Sequence, residues 1–93
     1  MNKCVKISFN SDYPQNFLRD FVQKHANQLG LEGLAQVSLA EQRTTVMVCG
    51  PKEDVDSFVD LFHRGTNQVQ LKALEIEPFL KTKDYRGVFR VIE

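Results

Sequence analysis

Apolar and polar positions alternate from near the start of the chain. Val5, Ile7 and Phe9 are separated by Lys6 and Ser8, the period of a half-buried strand. Residues 10–16 collect Ser, Asp, Pro and Asn, which favour turns, so they read as a loop with Gln15 or Asn16 near a helix start. The period then lengthens. Leu18, Phe21, Val22, His25, Ala26 and Leu29 fall at i, i+3, i+4, i+7, i+8 and i+11, one apolar stripe along a helix. Gly30 supplies the left-handed residue that ends it.

Two β-rich runs, 34–39 and 44–49, flank the polar Ala40-Glu41-Gln42-Arg43 and predict a hairpin. Gly50-Pro51 opens a second helix, with Pro51 in the first turn, where its missing N–H costs nothing. Glu53 and Asp54 complement the positive end of the helix dipole, and Val55, Phe58, Val59 and Phe62 build its apolar stripe up to Arg64-Gly65. Val69, Leu71 and Ala73, extended by Leu74 and Ile76 in a shifted phase, give a fourth strand. Val88 to Ile92 give a short fifth. The order βαββαβ plus a terminal strand is that of an α+β, ferredoxin-like split βαβ sandwich. It implies an antiparallel sheet with two helices on one face.

A chain of 93 residues supports a single core, so 1–93 is read as one domain. Twelve basic and twelve acidic residues cancel, which gives no basic field for nucleic acid or an anionic membrane. The alternating N-terminus does not read as a signal peptide, and no apolar run reaches the length of a membrane span. Cys4 and Cys49 offer no disulfide framework. With strands one and three taken as parallel neighbours, the two would lie at opposite ends and remain unpaired thiols. The chain accordingly reads as a cytoplasmic monomer with no metal or cofactor requirement.

The run from Arg19 through Phe21-Val22-Gln23 to Leu29-Gly30-Leu31-Glu32-Gly33-Leu34 resembles the first helix and following turn of acylphosphatases. Cys49-Gly50-Pro51 before an acidic helix, and Gly87-Val88-Phe89-Arg90-Val91 near the end, extend that resemblance over nearly the whole chain. In that family an Arg closes a Gly-rich loop, Gly-Arg-Val-Gln-Gly-Val-Gly-Phe-Arg, whose backbone N–H groups cradle a phosphate and stabilise its transition-state charge. An Asn on the next strand places the attacking water. The resemblance thus implies phosphate binding at Gln15, Asn16, Phe17, Leu18 and Arg19, with Arg19 as the catalytic cation.

The matching positions depart from the pattern. Gln15 and Phe17 replace two loop glycines, Pro14 has no N–H to donate, and Asp12 replaces an Arg, so its charge has the wrong sign for phosphate. Val37 stands where the water-placing Asn should be. These changes predict a catalytically impaired or inactive acylphosphatase-like domain with a residual role in binding a small anion or a protein partner. The alternative is a divergent hydrolase of acyl phosphates, using Arg19 with Gln36, Ser38 or Asn16 to place the water.

Several residues carry two readings. Arg19 is either the phosphate anchor or a solvated residue pairing with Asp12 or Asp20. Tyr13, Phe17 and Phe79 are either a binding surface or, for Phe17, filling for the altered loop. His25 reads as a half-buried packing residue and His63 as a partner of its helix C-terminus. Neither has a catalytic partner at a recognisable spacing.

Overall fold

The computed structural model describes residues 2–14, 16–64, 71–80 and 85–92. Strand β1 runs over Asn2–Asn10 and buries Val5, Ile7 and Phe9 on one face, as its alternation requires. The first helix, α1, winds as π-helix over Leu18–Gln23 and as α-helix over Lys24–Gln28. It buries Leu18, Val22 and Ala26. It stops as Gly30 predicts: at φ 68° that residue sends its N–H to the Asn27 carbonyl, and the next N–H, of Leu31, reaches Ala26 at 2.9 Å. Gln23 Nε2 donates to the Phe89 carbonyl at 3.2 Å, fastening the helix to the far edge of the sheet.

Strands β2 (Glu32–Ser38) and β3 (Arg43–Pro51) form the predicted hairpin, turning through residues 39–42 with Gln42 at φ 54°. Gly33 has φ 146°, and a Cβ there would collide with the Met47 carbonyl across the ladder, so β2 and β3 approach this closely only around a glycine. Helix α2 covers Lys52–Arg64, with Glu53 and Asp54 in its first turn and Val55, Phe58 and Phe62 buried. Pro51 closes β3 rather than entering the helix, which starts one residue later than the sequence suggests. Strand β4 is Glu75–Pro78, the shifted phase, with half-buried Ile76 packed against the core. The earlier phase fails because Ala73 sits at φ 54°, which breaks an extended run. Val69 and Gly65 lie outside the described residues.

Strand β5 (Phe89–Ile92) follows a turn at 85–88 in which Arg86 and Gly87 have φ 56° and 69°. The Val88 N–H closes that turn on the Tyr85 carbonyl at 3.2 Å. The strand order is β4-β1-β3-β2-β5. The first four strands pair antiparallel, but β5 runs parallel to β2, so the sheet is mixed rather than wholly antiparallel. Both helices share one core with the buried sheet face, where Phe9, Phe58 and Phe62 are almost completely buried. Full burial of each such ring stabilises the fold by about 1.5–3 kcal/mol.

One expectation is overturned. β1 and β3 are antiparallel neighbours, and their register sets Cys4 directly opposite Cys49. The two form a disulfide, with Cα atoms 4.2 Å apart. The Cys4 carbonyl accepts the Phe79 N–H on the other side of β1. Its backbone groups therefore point away from β3, as at the closer, non-hydrogen-bonded kind of antiparallel pair.

Candidate functional site

The loop after β1 carries the residues that the sequence marks for phosphate, and the structure turns its aromatic side chains inward. Phe17 is 6% exposed. Its ring stacks on Phe21 at 5.0 Å and 13°, meets Phe9 edge-on at 6.3 Å, and lies 5.2 Å from Tyr13. The Phe17 N–H donates to the Pro14 carbonyl at 3.0 Å, so this amide closes a turn of the loop itself. Leu18 is buried beside it, whereas Asn16 and Arg19 are exposed, Arg19 in the π-helical first turn. Gln15 lies outside the described residues.

Val37 faces the core near the end of β2, half-buried, with Thr44 of β3 directly opposite. Thr44 is fully buried, so its hydroxyl must find partners inside the protein. It finds two: the Tyr13 hydroxyl at 2.6 Å and Ser11 Oγ at 2.9 Å. These bonds draw the start of the loop down over the Val37–Thr44 pair. Two readings are thereby decided. Phe17 fills interior space, and Tyr13 is half-buried with its hydroxyl engaged, so neither is an exposed aromatic anchor.

Asp12 is exposed and pairs with Lys72 at 3.1 Å. Outside the loop lies a polar groove of about 700 Å³, lined among others by Asn10, Asp12, Val37, Ser38, Arg43 and Lys72. Its cations are already engaged: Arg43 donates to Asn10 Oδ1 and to the Ala73 carbonyl, each at 3.0 Å, and Lys72 holds Asp12. His25 is half-buried, with Nδ1 2.6 Å from the Phe21 carbonyl and its ring 4.6 Å from the Phe21 ring, a packing arrangement. His63 is exposed in the last turn of α2.

The Thr44 hydroxyl cluster is not among the residues singled out above, although its signal is present in the chain. Thr44 is in phase with Val46 and Val48 and was therefore bound to point into the core. Among the described residues no group of three His, Cys, Asp or Glu could hold a metal, and no helix is long and apolar enough to cross a membrane.

A family model described as acylphosphatase matches residues 15–91. An acylphosphatase of Caldivirga maquilingensis is 29% identical over 69 residues, which cover 74% of this chain and 73% of the relative. Among solved structures, an acylphosphatase from Coxiella burnetii superposes with a TM-score of 0.79 at 22% identity, covering 98% of this chain and 93% of that one. The acylphosphatase from Bacillus subtilis gives 0.80 at 18% identity over the full length of both. At these identities the two structures establish the fold.

Proposed function

The chain belongs to the acylphosphatase family, and from that premise we propose that it keeps the family's fold with an impaired or absent capacity to hydrolyse acyl phosphates, its remaining role being to bind a small anion or a protein partner at the loop end. The single observation that carries this reading is the inward Phe17, whose N–H is spent on Pro14. An anion cradle needs backbone donors directed at a common point and room for the oxygens they hold. Here a glycine position of the family has become a core side chain, and one of the loop's donors closes an internal turn. Val37 adds to this, because an aliphatic side chain has no polar atom with which to hold a nucleophilic water.

Arg19 remains exposed at the start of α1 and is the residue through which an anion would be held. The cytoplasmic assignment rested in part on two unpaired thiols, and the Cys4–Cys49 bridge removes that ground, since disulfides persist chiefly in oxidising surroundings.

The test is hydrolysis of benzoyl phosphate by the wild-type protein and by Arg19→Ala. The expected result is turnover at or near background in both. Turnover well above background that disappears with Arg19→Ala would replace this reading with a divergent acylphosphatase rebuilt around Arg19.

A further inference from the structure

A second cavity lies at the opposite end of the sheet. It measures about 280 Å³ and is bounded by Leu34 of β2, Arg90 and Ile92 of β5, and Tyr85, Arg86 and Val88 of the turn before β5. We propose that this cavity is a binding site for a small anion carried on a flat apolar body, such as an aryl carboxylate or an aryl phosphate. The proposal is independent of the hydrolytic reading of the loop.

Three observations support it. Among the described residues the lining includes two arginines, Arg86 and Arg90, and no carboxylate, in a chain whose total charge is zero. Guanidinium groups bind carboxylate and phosphate through paired N–H donors, a geometry that suits a planar anion. Among the described residues Arg90 enters no ion pair, in contrast to Arg43 and Lys72 of the larger groove. Second, the rest of the lining is apolar or aromatic: Leu34 and Ile92 come from neighbouring strands, with Tyr85 and Val88 beside them. A few polar groups set in an apolar wall is the usual composition of a small-molecule site, and the volume is close to the lower end of the range such sites occupy.

Third, the turn that carries Arg86 is held in place. Its own Val88–Tyr85 bond closes it, and the Val88 carbonyl accepts the Gly33 N–H at 3.0 Å. Arg86 sits at φ 56°, a region that residues with a side chain seldom occupy, so the fold keeps it against its local preference. Arg90 is fixed by parallel pairing of β5 with β2 at Leu34. Backbone bonded to two adjacent residues of β2, Gly33 and Leu34, therefore sets both arginines beside the cavity, and Arg90 is the cation on which the site rests.

The experiment is a titration of isotopically labelled full-length protein, followed by amide NMR, with benzoate, phenyl phosphate, acetate and benzyl alcohol in separate arms. Benzoate or phenyl phosphate should produce saturable shifts at Leu34 and across 85–92, with a dissociation constant on the order of 1 mM for so small a ligand. The tighter of the two identifies which anion the site prefers. Arg90→Gln should weaken that binding about tenfold through loss of a charge-assisted contact, and Lys24→Gln, on the exposed side of α1, should leave it unchanged. Equal shifts from acetate, or from benzyl alcohol, would overturn the pairing of charge with an apolar body. Absence of saturable shifts at 34 and 85–92, or full retention in Arg90→Gln, would overturn the site itself. Shifts confined to 11–19 would bear on Arg19 and not on this cavity, so the two readings fail separately.

Discussion

The two ends of the sheet spend their side chains differently. Beyond Asn10, Ser38 and Arg43 the chain folds Tyr13 and Phe17 inward and ties both the loop's hydroxyls and one of its amides to partners within the protein. Beyond Glu32 and Pro51 it does the reverse. There a four-residue edge strand and a turn with a non-glycine residue at positive φ leave Val88 and Ile92 partly exposed around a cavity. The lesson is that a single aromatic residue such as Phe17 can draw a loop into the core. Room for a ligand then persists where the sheet edge is short and thinly covered.

Four perturbations would break or sharpen that contrast. The largest expected effect is reduction of Cys4–Cys49, which lies at the cavity end next to Glu32. Its sequence separation of 45 corresponds to a loop-closure contribution of about 4 kcal/mol. Urea unfolding with and without dithiothreitol measures it, and hydrogen exchange should quicken at Gly33 and Phe89 before the 11–19 loop. A loss below about 1 kcal/mol would mean the nine-pair ladder of β1 and β3 holds that end unaided.

Next comes Phe17→Ala, expected to cost about 3 kcal/mol if the ring is core. A cost near zero would place the loop's aromatics outside the stabilising core and reopen the question of a cradle. Tyr13→Phe keeps the ring and removes the bond to Thr44. It should cost about 1 kcal/mol, limited because Ser11 still serves the buried hydroxyl.

The smallest effect concerns Asp56, whose hydrogen bonds to Lys3 and Lys52 hold its carboxyl below the ordinary value of 3.8. A carboxyl depressed on folding stabilises above its unfolded pKa and loses that contribution as pH falls through the folded one. Asp56→Asn should therefore differ slightly from wild type in urea at pH 6, and the two should converge below pH 3.8. A difference that persists there would point to packing rather than charge.

Much of this fold was legible because its signals are local. Period-2 runs marked β1 and the hairpin, and Gly30 marked the helix stop through a property of one backbone position. The start of β4 was ambiguous because two apolar phases overlap, and the positive φ of Ala73 that separates them belongs to the folded chain. The disulfide was missed for a different reason. Partner numbers run in opposite directions along an antiparallel ladder, so an early residue of β1 meets a late one of β3, and assuming parallel strands reversed that geometry. Of the candidate site, Arg19 and the glycine replacements could be read from the sequence, but the direction of Phe17 could not. A large apolar residue in a loop fits either face until its neighbours are known. The cavity at β5 needed the parallel pairing that brings Arg90 beside Leu34.

The bridge also divides the chain into a covalent ring and a tail. Residues 4–49 close on themselves and enclose α1 and the hairpin, while α2, β4 and β5 hang from the ring by a single strand of backbone. The hairpin turn, with Leu39 87% exposed, is the natural place for a protease to enter. A single cut there would leave both pieces joined through sulfur. The nicked protein would migrate as one band in denaturing electrophoresis and separate into two only after a thiol is added.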